Sequence, residues 1–201
     1  MIFIDPHKPI ATCVAETCDN CPAQKALHCH FSLKDLVHFY SIAAPTFLLG
    51  GAGIYHISGW WLIPWLIIII AYFGFIEIRV MCSHCPHYAE KGSTLQCWAN
   101  YGSPKIWSYR PGPMKVWEKV VFLMGFALIW GFPLFFLILG KQLFLLVVYL
   151  LTVTGFFMTV RMFLCSQCFN FACPLNAVKD EVRTAFFERN SEIAKAWLRD
   201  I

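Results

Sequence analysis

Ten cysteines in a chain of 201 residues are the groups with the most chemistry to offer. They form three sets: Cys13, Cys18, Cys21 and Cys29; Cys82, Cys85 and Cys97; and Cys165, Cys168 and Cys173. Each set contains a C-x-x-C pair, which brings two thiolates to one metal from a single turn, and two such pairs complete a four-thiolate site. Each set also contains a Cys-Pro step, at Cys21-Pro22, Cys85-Pro86 and Cys173-Pro174. A proline after the last cysteine belongs to the bacterial ferredoxin run, although the regular C-x2-C-x2-C-x3-C-P spacing is absent here. The expectation is therefore cysteine-ligated iron–sulfur clusters, about two of the [4Fe–4S] type. Structural zinc is the alternative, since any four thiolates satisfy it and His28, His30, His84 and His87 lie beside them as further ligands. Cys13, Cys18, Cys21 and Cys29 are expected to complete one site. Cys82 and Cys85 with Cys165 and Cys168 are expected to form the other, leaving Cys97 and Cys173 to exchange into either.

The elements that carry these thiols are read from composition. The chain is 58% hydrophobic and 14% charged, too apolar for a soluble domain of this size. Four apolar stretches have about the twenty residues a membrane helix needs: Leu36 to Tyr55, Trp60 to Val80, Val120 to Leu139 and Leu143 to Val160. The first carries Pro45 and the small residues Gly50, Gly51 and Gly53, which let helices pack closely. The second opens on Trp60, Trp61 and Trp65, read as an interfacial aromatic belt. Only residues 56–59 join the first two helices and residues 140–142 the last two, so the expected fold is an all-α integral membrane protein of two hairpins. Four crossings place every cysteine on one face. Of the 16 Lys and Arg residues, only Lys141 lies on the other, and the positive-inside bias makes the crowded face cytoplasmic.

The resulting organisation is a cysteine-rich cytoplasmic segment over 1–35, a first hairpin over 36–80, a cysteine and aromatic loop over 81–119, a second hairpin over 120–160, and a cysteine motif with an amphipathic helix over 161–201. Both termini are expected in the cytoplasm and the protein in the inner membrane. No basic stretch followed by an apolar run opens the sequence, so no cleavable signal peptide is expected, and the first helix serves as its own insertion signal. In a reducing compartment the thiols stay free of disulfides. The small net charge of +4 forms no basic tract, which argues against nucleic acid as a partner. The loop mixes Trp98, Tyr101, Trp107, Tyr109 and Trp117 with Lys105, Arg110 and Lys115, a pairing suited to the lipid headgroup region.

The ends of helices two and four echo each other: RVMCSHCPH and RMFLCSQCFNFACPLNAV both run from Arg into C-S-x-C, with one extra residue between Arg161 and Cys165 relative to Arg79 and Cys82. With the four spans, these motifs resemble the ferredoxin-type membrane quinol dehydrogenases associated with periplasmic nitrate reductase and with nitrous-oxide reductase maturation. The Cys173-Pro174-Leu175 step is similar to that family's Cys-Pro-Leu-Gly turn. The resemblance implies electron transfer between a quinone and cytoplasmic clusters, with a cytoplasmic redox protein as partner. The chain departs from the family in its cysteine intervals of two and four residues where the family has three, and in having no cysteine beyond Cys173.

Glu77 is the one carboxylate within a span that invites a catalytic role, as a proton donor to a quinone; the simpler reading pairs it with Arg79 or Arg161. His38 and His56 sit at opposite ends of the first helix and read as interfacial residues. No hydrolase triad, phosphate loop or HExxH helix is present. Two other functions remain open at this level: a zinc-stapled membrane enzyme acting on a lipid or lipid-linked substrate, and a metal-trafficking membrane protein.

Overall fold

The computed structural model describes residues 7–199. Among them, four helices are long and apolar enough to cross a membrane: α1 (Leu33–Ile57), α2 (Gly59–His84), α3 (Val116–Leu139) and α4 (Leu143–Gln167), of 25, 26, 24 and 25 residues. At 1.5 Å per residue each measures about 36–39 Å, longer than the ~30 Å of hydrocarbon in a bilayer. Their outward faces carry exposed Leu48, Ile67, Leu128, Phe144 and Leu151, the surface that lipid, not water, would cover. The chain has the build of a multi-pass membrane protein. Two shorter helices, α5 (Asp180–Arg189) and α6 (Ser191–Arg199), follow.

Small residues set the helix spacing. α1 starts at Leu33 because the Ser32 hydroxyl caps it, accepting from the Asp35 N–H at 3.3 Å. It packs against α3 and α4 more than against α2, its neighbour in sequence. A Cβ on Gly53 would stand 2.5 Å from Leu137 Cδ2, and one on Gly50 would stand 3.0 Å from Pro133 Cγ. These glycines therefore let α1 approach α3 closely, as the sequence implied. Gly125 plays the same part for Tyr72, whose ring occupies the place of a Cβ and whose hydroxyl donates to the Phe122 carbonyl at 2.7 Å.

Trp65 departs from the expected belt. Trp60 and Trp61 are exposed, but Trp65 is buried and its Nε1–H donates to the Ile129 carbonyl at 3.0 Å. The cause lies four residues along α3: Pro133 has no N–H, so the Ile129 carbonyl lacks its helical donor and takes one from another helix.

α2 and α4 each contain one π-turn, at Tyr72–Ile76 and Val160–Leu164, and each ends in a tight 3₁₀ turn opening on cysteine, Cys82–His84 and Cys165–Gln167. A π-turn is one extra residue accommodated in a helix. In α4 it contains Arg161 and runs up to Cys165, whereas in α2 it ends upstream of Arg79. That difference in position accounts for the extra residue in the second motif.

The tail, expected as one amphipathic helix, is divided at Asn190. Its buried side chain accepts from Thr12 Oγ1 at 2.8 Å and donates to the Phe186 carbonyl at 2.8 Å. Phe186 and Ile193 pack with Ile10, Ala23, Leu27, Phe169 and Phe171, so α5 and α6 cover the N-terminal cysteine segment.

Candidate metal centres

The ten thiols are free and gather in two places. Cys13, Cys18, Cys21 and Cys29 line one small cavity of about 30 Å³ with His30, Arg189 and Asn190. Short backbone turns aim them: the Cys13 N–H bonds the Ile10 carbonyl, Cys18 the His7 carbonyl, and Cys21 the Cys18 carbonyl. Asn20, between Cys18 and Cys21, adopts φ 59°, a left-handed conformation asparagine tolerates better than most residues. Burial, and then the sulfurs of Cys21, Cys18 and Cys13, push the Cys29 thiol up to about 12. This is the grouping the spacing implied.

The remaining six thiols line a second cavity of about 620 Å³. The expected quartet of Cys82, Cys85, Cys165 and Cys168 is joined there by Cys97 and Cys173. Cys97 arrives on an excursion of the long loop, closed by Leu95 N–H to the Ser103 carbonyl and Gly102 N–H to the Leu95 carbonyl. Cys173 sits in a turn whose N–H bonds the Asn170 carbonyl. Burial raises the thiols of Cys85, Cys97 and Cys168, Cys97 to about 11. Among the described residues, no three His, Cys, Asp or Glu side chains converge as ligands of one metal ion.

From the cysteines the cavity continues between the helices, walled by Phe39, Phe73, Phe126, Trp130 and Phe156, with Glu77 on its side. Glu77 is 4% exposed. Its partner is neither expected arginine but Asn100, whose Nδ2 donates to Glu77 Oε2 at 3.1 Å and to Cys82 Sγ at 3.2 Å. One amide therefore links the carboxylate to a thiol. Two buried polar atoms of cavity-lining residues, His87 Nδ1 and Asn170 Oδ1, have no hydrogen-bond partner among the described residues. Burial, with His30 and Lys105 nearby, holds His87 down at about 3, so it is neutral.

The histidines divide by role. His30 lines the first cavity and His87 the second. His28 stands 3.3 Å from Asp35, and its backbone N–H bonds the Gln167 carbonyl, tying the two cysteine regions together. His38 and His56 are exposed. His84 serves a network that the sequence reading passed over, centred on Glu118, which has no exposed side-chain surface. Glu118 accepts from Arg110 Nη1 at 2.6 Å and from the Lys115 N–H at 2.9 Å, with His84 Nε2 at 3.2 Å and Arg79 Nη1 at 3.7 Å. Arg110 also donates to the Arg79 carbonyl and to Ser83 Oγ. A glutamate three residues after the N-cap, just ahead of an apolar run, was the available signal.

Three of the loop aromatics have partners within the protein, while Trp117 is exposed. Trp98 packs edge-on to Phe39, Tyr101 against Phe31, and the Trp107 ring lies under the Arg79 guanidinium. Compared with known protein families, curated proteins and solved structures, the chain matches none.

Proposed function

We propose that the chain is a membrane electron-transfer protein that holds about two [4Fe–4S] clusters in its two thiol groups. It passes electrons between a cytoplasmic redox protein and the quinone pool. In this reading it lies in the inner membrane as two hairpins, its termini and cysteine-rich cap in the cytoplasm, the orientation that the Lys and Arg distribution favours.

The observation that carries the reading is the second cavity, in which six sulfur donors and a buried carboxylate share walls with a channel of aromatic side chains between the spans. Soft thiolates select iron–sulfur centres or zinc. Around one tetrahedral zinc, sulfurs at about 2.3 Å from the metal stand about 3.8 Å apart. Cluster thiolates bind different irons and stand farther apart, and the cavity of about 620 Å³ that the six thiols line has room for such a group. The two unpartnered polar atoms, His87 Nδ1 and Asn170 Oδ1, suit a bound group they would face.

A cluster supplies one-electron exchange. The chain's own residues do the rest. Phe39, Phe73, Phe126, Trp130 and Phe156 accept the quinone ring, exclude water and orient it. Glu77, held by Asn100, exchanges the proton that accompanies reduction at a quinone oxygen. The test is elemental analysis of anaerobically purified protein: iron with acid-labile sulfide, a brown colour and a reducible electron paramagnetic resonance signal are expected. Colourless, iron-free protein with stoichiometric zinc refutes the reading. Glu77→Gln is expected to keep the iron and to slow quinone-linked oxidation of the reduced protein.

A further inference from the structure

The inner cavity reaches the side of the helix bundle as well as its interior. One face of α1 runs through Tyr40, Ala44, Phe47 and Gly51, at the spacing of three and four residues that sets side chains in a row. Away from the cysteines this row meets α2: the Phe47 and Trp65 ring centroids stand 6.0 Å apart, and a Cβ on Gly51 would lie 3.5 Å from Trp65 Cζ3. Towards the cysteines the cavity lies along it instead. Of the described residues that line the cavity, only Tyr40 and Ala44 are exposed, Tyr40 to 55%. Residues that are wall and surface at once mark where a cavity opens. α2 supplies Phe73, Gly74 and Glu77 to the same cavity, and a Cβ on Gly74 would meet nothing within 4 Å. Gly74 also lies inside the π-turn of α2, a kind of helical defect often found at functional sites.

The level of the opening says what it admits. Ala44 is next to the midpoint of α1, and Tyr40 is about one turn nearer the cysteines, so in a bilayer the opening faces hydrocarbon. No lysine or arginine is among the described residues that line the cavity, and a phosphate headgroup drawn inside would be buried without a cation. An uncharged ring meets no such penalty. We infer that the gap between α1 and α2, flanked by Tyr40, Ala44 and Gly74, is a lateral portal through which a quinone with an apolar tail enters from the bilayer, its ring inside towards Glu77 and its tail lying in the opening. The inference rests on the quinone reading above and adds the route to it.

The test uses the full chain, purified anaerobically and placed in lipid nanodiscs. It is photolabelled with an azido-quinone carrying an apolar tail, and the labelled peptides are mapped by mass spectrometry. Wild-type protein is expected to be labelled within the cavity-lining stretches 39–47 of α1 and 69–77 of α2. Gly74→Phe and Ala44→Phe each place a ring in the opening from one side, and each is expected to lose that labelling and to slow oxidation of the reduced protein by the tailed quinone, with iron content and the electron paramagnetic resonance signal retained. Gly155→Phe, at an exposed position outside the cavity where a Cβ meets nothing within 4 Å, is expected to behave as wild type. Labelling that persists in both cavity variants, or that falls on other helices in wild type, overturns the portal. Labelling of the same stretches by a photoreactive phospholipid that excess tailed quinone does not displace overturns it as well. Iron-containing protein that no quinone labels or oxidises overturns the quinone reading instead, a distinct outcome.

Discussion

Replacing Glu118 with leucine removes a carboxylate that has no exposed surface and strands the groups turned toward it: Arg110 at 2.6 Å, His84 at 3.2 Å and Arg79 at 3.7 Å. Breaking a buried ion pair from one side costs about 3–5 kcal/mol, because the remaining charge keeps its burial and loses its partner. The arginine side chains retain 28% and 35% of their exposure, and water screens part of their charge, so the lower figure of about 3 kcal/mol applies. For a chain of this length that corresponds to a fall of about 6–12 °C in the midpoint of thermal unfolding in detergent. The double variant Glu118→Leu with Arg110→Met removes the strongest pair together and is expected to recover much of the loss, since an apolar pair of similar volume often matches a buried ion pair. The same network anchors the loop end to the Ser83 turn, so on the proposed iron–sulfur reading Glu118→Leu should also lower iron in the inner centre while sparing the N-terminal one. A midpoint within about 2 °C of wild type, or a double variant whose loss equals the sum of the single ones, would refute the account.

Trp65→Phe should cost about 1–3 kcal/mol by leaving the Ile129 carbonyl unpaired, and Pro133→Ala, which restores the helical donor, should reduce that cost when the two are combined in a thermal-unfolding cycle. Gly125→Ala is expected to destabilise by about 1–3 kcal/mol, because a Cβ there would collide with the Tyr72 ring. Gly131→Ala, where a Cβ meets nothing within 4 Å, should be neutral or stabilising by up to about 1 kcal/mol in the same assay. A cysteine placed by Lys141→Cys should react with a membrane-impermeant maleimide from the side opposite the native cysteines; labelling from the same side would contradict four crossings.

The spans were legible because a run of about twenty apolar residues is what a helix needs to cross hydrocarbon and far more than a half-buried helix of a soluble domain would carry. The N-terminal thiol group was legible because its four members lie close together in the chain, between Cys13 and Cys29. What escaped the sequence depended on contacts between distant segments. Asn100, twenty-three residues from Glu77, displaced the arginines as its partner through a loop fold that local pattern does not encode. Cys97 joined the inner group by that same fold, so counting C-x-x-C pairs left it out. Trp65 resembled a belt residue until Pro133, on another helix, left a carbonyl for it to satisfy. Asn190 divided the tail because its partner Thr12 lies at the other end of the chain.

The π-turns of α2 and α4 have a consequence for aim. A residue wound into an α-helix advances everything beyond it by about 100° around the axis and about 1.5 Å along it, and the wider π-turn takes that residue up without the advance. The compass bearing at which Cys82 and Cys165 leave their helices is therefore set partly upstream of each cysteine, at Tyr72–Ile76 and Val160–Leu164. The two turns act as phase shifters, and without them the thiols of both helices would point to other quarters of the compass.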